Sequence, residues 1–306
     1  MENLSMPRKI VLLMCIALMS FGLNAQRHEI GVKSGLAYLV GDIGATEYVF
    51  QSPITERMTD IDYPFFELPV TIGIMYRRNF NPYQSLRLDV GYSQVKFLDR
   101  RSDEIYRKNR GSQGINSGLD VNVLFEYNFF PVNNEQQRML SPYIFGGLGF
   151  GIYGNRSLNV NVGFEKDASG NIVQNPDGSY PAIYSSQSRY ETKMIIAVPF
   201  GIGLKYKFNY NWAVSLEAMF RPTFSDGLDY SAISSKDVDI AYSRERLQPE
   251  SARSVLQQEP YTTEAKRIAD EVINNVNVGN TNSKDWLNTI TLGLSYSFGR
   301  PPCYCD

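Results

Sequence analysis

Cys303 and Cys305, the lone histidine His28 and the glycine run at 149–154 are the places where residue type and spacing could support chemistry. The C-x-C pair follows Pro301-Pro302 and offers two thiolates; with His28 the only imidazole, a tetrahedral zinc site has too few donors. A bond between the two cysteines would close a small strained ring, because paired Cα atoms sit about 4.4–6.8 Å apart with restricted torsions. Three readings stay open: free thiols, an internally oxidised pair, or an intermolecular disulfide, which an oxidising compartment would preserve. Gly149-Phe150-Gly151-Ile152-Tyr153-Gly154 matches G-x-G-x-x-G. A dinucleotide site needs that run between a strand and a helix, and no helical pattern follows. Crowding and strand bending explain the glycines more simply. One histidine leaves little for acid–base work near neutral pH. No serine has a histidine partner except His28, which opens the first strand, and no carboxylate pair has a supporting constellation. The expectation is therefore no enzyme, no cofactor, no metal and no small-molecule substrate.

The elements that would have to position such residues point elsewhere. The chain has 306 residues, with 30 Lys+Arg against 32 Asp+Glu, a net charge of -2. That balance gives no support for nucleic-acid binding, which needs a basic surplus. Mean hydropathy is -0.28, unlike a bundle of transmembrane helices. Twenty Tyr, 17 Phe and 24 Gly suit half-buried strands and tight turns.

The N-terminus sets the compartment. Arg8 and Lys9 precede an uncharged run from Ile10 to Leu23, and Leu23-Asn24-Ala25 places a small residue before Gln26. This is the pattern of a secretory signal peptide over residues 1–25, cut between Ala25 and Gln26. A membrane anchor is the weaker reading, since a span needs about 20 apolar residues. Met14 before Cys15 does not fit lipidation.

From residue 28 onward the sequence alternates. Eight segments have period two, at 28–40, 68–76, 86–92, 119–129, 142–152, 196–208, 212–220 and 290–298. In the third, Leu86, Leu88, Val90 and Tyr92 oppose Arg87, Asp89 and Gly91; in the last, Ile290, Leu292, Leu294, Tyr296 and Phe298 oppose small polar residues. Most of these runs exceed the usual soluble strand of about 5–6 residues and suit a tilted bilayer crossing of about 9–11. A soluble β-sandwich or lipocalin-like barrel would turn its apolar face inward, whereas a membrane barrel reverses the faces. Length, export and aromatic residues near strand ends favour the second. The expected fold is all-β, an eight-stranded antiparallel transmembrane β-barrel over 26–298 with outer-membrane lipids around it. A periplasmic cysteine-containing tail follows at 299–306.

Alternate connections are long, from more than 20 to about 70 residues, and the others are short turns. Long extracellular loops and short periplasmic turns would place both termini in the periplasm. Eight strands leave an interior filled by side chains, so no diffusion pore is expected. Glu126, Lys205, Lys207, Glu217 and Arg221 are expected in that interior, paired with one another. Arg100, Arg101, Asp103, Glu104, Arg107, Lys108 and Arg110 read as a solvated loop, with lipopolysaccharide binding the lesser alternative. Turn signals at 167–171 and 175–178 flank Ile172-Val173-Gln174, so the fifth and sixth segments should extend as a hairpin beyond the membrane. Thr262–Asn275 reads as a helix capped by Thr262 or Thr263, with Ala265, Ile268, Ala269, Val272 and Ile273 as its apolar stripe. Phe298, the last aromatic of the closing strand, has the place of a barrel-assembly signal.

His28-Glu29-Ile30-Gly31-Val32 with Gly41-Asp42-Ile43-Gly44 resembles the opening of the PorG-like barrels of the type IX secretion system. Phe125 to Phe130 and Pro142 to Gly147 are similar to the middle of that family. Pro199 to Gly203 and Arg221 to Asp226 are similar to its later strands. The resemblance implies an integral outer-membrane barrel working with a periplasmic ring made of a lipoprotein and its partner. It carries over no catalytic or metal residue. It makes the ring lipoprotein the best candidate for a disulfide to Cys303 or Cys305. The alternative is a small OmpA/OmpX-type barrel serving adhesion or envelope integrity.

Overall fold

The computed structural model describes residues 27–48, 51–54, 68–133, 138–165, 167–169, 172–242, 259–280 and 283–299. The signal-peptide expectation, with Ala25 and Gln26, and the tail with Cys303 and Cys305 lie outside these residues.

Every alternating segment of the sequence is a strand. They are β1 (Arg27–Val40), β2 (Val70–Asn79), β3 (Gln84–Leu98), β4 (Gln113–Asn128), β5 (Met139–Phe164), β7 (Phe200–Lys207), β8 (Trp212–Phe220) and β10 (Trp286–Phe298). Each pairs antiparallel with its neighbour in the order β1-β2-β3-β4-β5-β7-β8-β10. β10 returns to β1 with Phe298 opposite His28 and Trp286 opposite Val40. The ring is closed, so it has no open edge within these eight strands.

Two strands lie beyond the ring: β6 (Ala182–Ala197), which is the expected extension of the hairpin between the fifth and sixth segments, and β9 (Val238–Tyr242), which has no counterpart in the alternation. β6 runs into β7 across Val198-Pro199 and pairs with the upper part of β5, from Gly149 to Phe164. Pro199 has no N–H to give the ladder, and the line breaks there; its carbonyl accepts from Gly147 N at 2.9 Å, and Val198 N turns to Pro222 O at 3.0 Å. The fifth connection thus shortens to residues 165–181 and the hairpin projects beyond the ring. β9 pairs with β5 in parallel, a correction to a wholly antiparallel sheet. Backbone pairing of this kind costs nothing in the ring, because the barrel partner of β5 on that side, β4, ends its pairing at Tyr153.

α1 (Ile105–Arg110) lies between β3 and β4, and α2 (Tyr261–Val276) between β9 and β10. In α2 the five residues of the expected stripe are the buried ones. They pack on Leu158, Val160 and Val162 of β5 and on Ile233, which forms a second core outside the ring. Each such apolar side chain contributes about 1.5–3 kcal/mol when fully buried. The cap differs from expectation. Pro260 holds the N-cap position, and the Thr262 and Thr263 hydroxyls instead donate to the Glu259 carboxylate at 2.7 and 2.5 Å.

The faces of the strands are inverted relative to a soluble barrel. Ile30, Val32, Ile72, Ile74, Leu119, Ile202 and Leu292 are exposed, Leu292 at 61%, while Glu29, Lys33, Arg77, Arg87, Asp89 and Glu126 are buried. Aromatic clusters sit at both rims. Trp212 meets Tyr296 edge-on at 5.1 Å at one, and Phe200 meets Phe220 at 5.7 Å and Trp286 at 6.1 Å at the other. β8 carries Trp212 at one end and Phe220 at the other, about 27 Å apart along a strand rising 3.3–3.4 Å per residue.

Candidate functional site: a charged interior under a capped mouth

Inward positions of the alternating strands bring ionic side chains into one narrow space. Arg77 on β2 reaches Glu29 on β1 at 2.6 Å and Glu126 on β4 at 2.5 Å. Arg87 on β3 reaches Glu126 at 2.6 Å, Glu217 on β8 at 2.5 Å and Asp89 at 3.1 Å, with its guanidinium 4.8 Å over the Phe145 ring. Lys33 holds Asp89 at 2.5 Å, Lys205 holds Glu29 at 2.7 Å, and Arg221 holds Asp120 at 2.6 Å. The hydroxyls of Tyr143 and Ser295 donate to Glu217 and Glu29. The expectation that Glu126, Lys205, Lys207, Glu217 and Arg221 pair among themselves is therefore corrected. Their partners are Arg77, Arg87, Glu29 and Asp120, and Lys207 lies 5.6 Å from the Tyr210 ring. Arg87, Asp89, Glu29, Lys33 and Asp120 already stood on the polar face of the alternation. Arg77 was missed because it lies one residue past the run ending at Tyr76. Charges withdrawn from water hold their geometry only when paired and hydrogen-bonded, so this network fixes the strands and fills the bore.

The segment after β8 closes one mouth. Leu228, 2% exposed, packs among Ala37 and Leu39 of β1, Val95 and Phe97 of β3, Tyr153 of β5, Ile195 of β6 and Leu287 of β10. Those residues come from around the ring, so Leu228 is a stopper. Its N–H donates to Asp285 Oδ2 at 2.8 Å, and Ile43 N donates to Asp229 Oδ2, also at 2.8 Å. A Cβ on Gly41 would lie 2.5 Å from both Asp229 Oδ2 and Asp285 Oδ1, so only glycine lets β1 turn beneath the two carboxyls. Burial, with the neighbouring charge of Asp229, pushes the Asp285 carboxyl well above the usual range. Burial also raises Asp229 and pushes Asp226 up to about 6.

The remaining singled-out residues have structural places. His28 Nδ1 is 2.6 Å from the Tyr76 hydroxyl, and its ring stacks between Tyr76 and Phe298. Phe298 thus sits where the last strand meets the first. The glycine run lies inside β5 with no helix after it; a Cβ on Gly154 would come 2.7 Å from the Tyr230 hydroxyl. The loop at 100–110 is less solvated than expected. Arg107 donates to Gly41 O and Gly44 O at 2.9 and 3.2 Å, and Arg110 to Asp42 O and the Asp99 carboxylate. These two arginines tie the β3–β4 connection to the β1–β2 connection. Among the described residues, no group of three or more His, Cys, Asp or Glu side chains is arranged to hold a metal ion.

A family profile described as a domain of unknown function, DUF6089, matches residues 8–243. No curated protein matches. Among solved structures, the chain is similar to the N-terminal β-barrel domain of OprF from Pseudomonas aeruginosa, with 9% identity, TM-score 0.37, and coverage of 90% of this chain and 98% of that one. It is similar to Ail, the attachment invasion locus protein of Yersinia pestis, at 12% identity and TM-score 0.34, covering 90% and 100%. It is similar to the outer membrane protein OprG from Pseudomonas aeruginosa at 9% identity and TM-score 0.34, covering 90% and 97%. Likeness this distant says nothing of activity.

Proposed function

The chain belongs to the DUF6089 family, a membership that prescribes no activity, and from its own geometry we propose a non-enzymatic integral outer-membrane barrel that anchors a protein-export machine. One observation carries the membrane reading: the closed ring turns its apolar residues outward and its charges inward. Exposed Leu, Ile and Val in such a continuous band would be costly in water and are matched by lipid. The aromatic clusters at both rims fit the two interfaces. The charge-filled bore and the Leu228 stopper argue against permeation, so the barrel serves as a fixed object in the membrane.

The finer role rests on the resemblance of the strand motifs to PorG-like barrels. In this reading the short-turn end and both termini face the periplasm. The partners there are the ring lipoprotein of the type IX machine and its companion, and Cys303 or Cys305 makes the covalent link. Two measurements test the proposal. Unboiled protein from envelopes should migrate as a folded, heat-modifiable band extracted only by detergent; a freely soluble protein would end the membrane reading. Deleting the gene should trap secreted cargo in the periplasm; normal secretion would leave the second reading. That reading, a small OmpA/OmpX-type barrel for adhesion or envelope integrity, is favoured by the β5–β6 hairpin and its helix, which build a packed body beyond the ring.

A further inference from the structure

A cleft of about 650 Å³ opens between β6 and the segment that follows β8. Its lining is of two kinds. Lys193, Lys236 and Lys284 with Asp226 and Asp237 supply the charged part. Met194, Ile196 and Phe224 supply an apolar part, of which Phe224 is 69% exposed. Lys193 Nζ is engaged by Asp237 at 2.7 Å, and Lys284 faces the half-buried Asp226. Lys236 has no ion pair among the described residues. The apolar part is not an isolated patch. Met194, Ile196, Val198, Phe200 and Ile202 alternate along one line of chain and are all exposed, so the floor of the cleft runs directly into the outward apolar belt.

We propose that this cleft binds a phosphorylated lipid of the surrounding leaflet, its phosphate among Lys236, Lys284 and Lys193 and its acyl chain along Ile196, Val198 and Phe200. The argument is one of matched chemistry. A free anion would need only the lysines and would leave the apolar floor exposed to water. An uncharged acyl chain would need only the floor and would leave a surplus of cationic charge unanswered. An amphiphile with a phosphate at the polar boundary answers both. Ammonium groups bind phosphate through charge-assisted hydrogen bonds, which are stronger than neutral ones and weaken with salt where exposed. Lys284 comes two residues before Trp286 and Lys193 seven before Phe200, so these lysines stand at the long-connection end, beyond the aromatic cluster of Phe200, Phe220 and Trp286.

The inference rests on the membrane reading above, and the test separates the two. Full-length barrel is placed in nanodiscs of an uncharged, phosphate-free glycolipid, with folding checked by heat-modifiable migration. Its affinity for fluorescent diphosphoryl lipid A is then measured against that of the Lys236→Glu, Lys284→Glu variant. Loss of two charge-assisted contacts should weaken binding on the order of tenfold or more. The milder Lys236→Gln, Lys284→Gln variant should fall between, and both lysine effects should shrink at high salt. Unchanged affinity in folded, inserted variants overturns the site. Inorganic phosphate or the deacylated headgroup competing as well as the lipid also overturns it, in favour of a soluble anion. Failure of the wild type to enter nanodiscs overturns the membrane reading, and this inference with it.

Discussion

Arg87 on β3 and Glu217 on β8 meet 2.5 Å apart across the bore, although 130 residues separate them in the chain. In the ring order β1-β2-β3-β4-β5-β7-β8-β10 these strands stand opposite one another. The pair is therefore a strut through the barrel, and Glu126 braces it from β4 at 2.6 Å. Lys205 on β7 with Glu29 on β1 repeats the device between two other non-adjacent strands, and Arg221, just past the end of β8, reaches Asp120 on β4. Such struts explain how a barrel with charged contents stays narrow and closed.

Removing one end of the strut should be far worse than removing both. Arg87→Met leaves the carboxylates of Glu126 and Glu217 buried without their shared cation, a loss of about 3–5 kcal/mol. Adding Glu217→Gln to that variant should recover part of the loss, with a coupling of about 0.5–3 kcal/mol between the sites. Urea titration of the heat-modifiable fraction reads both values. Additive effects of the two substitutions would show that the contact does not brace the ring.

The cap should loosen as pH rises. Asp226 moves from 3.8 to about 6 on folding, and Asp229 and Asp285 are raised as well. A carboxyl with a raised folded pKa binds its proton more tightly in the folded state. Its contribution is complete below the unfolded value and is lost as pH climbs through the folded one. Opening free energies from hydrogen exchange at the Leu228 and Ser231 amides, corrected for intrinsic rate, should be lower at pH 7.5 than at pH 5. Asp285→Asn keeps an oxygen for Leu228 N and should remove much of that difference. An identical opening free energy at both pH values would refute the assignment.

Phe298→Asp should lower the amount of assembled barrel in envelopes. Its ring stacks on His28 at 5.7 Å where the last strand closes on the first. At an interfacial depth a charged residue costs a barrel only about 0–1 kcal/mol. The stability of protein refolded in detergent should therefore hardly change. A large fall in assembled barrel with little change in refolded stability identifies an assembly signal; wild-type levels in envelopes would count against it.

The cysteine tether makes its own prediction. Non-reducing gels of envelopes should show a heavier species that collapses to monomer on reduction, and the Cys303→Ser, Cys305→Ser double substitution should abolish it. A wild-type chain found only as monomer, or a heavier species unchanged in the double substitution, would refute the tether.

Side-chain alternation is a local property with a period of two residues, and it alone placed the eight staves of the ring and sorted Arg87, Asp89, Glu29 and Lys33 onto one face. The α2 stripe was legible for the same reason, since a spacing of three and four residues needs no knowledge of the partner surface. Which face points outward was decided only by closure: a ring has an inside, and the exposed Ile30 and Leu292 against the buried Glu29 and Arg87 set its polarity. The partners of Lys205, Glu217 and Arg221 were illegible, because they depend on which strands stand opposite after the register of the whole ring is summed. The Leu228 stopper was hidden for a related reason. It shares one buried cluster with Leu39, Phe97 and Ile195, which are far from it in the chain, so no pattern near residue 228 announces it.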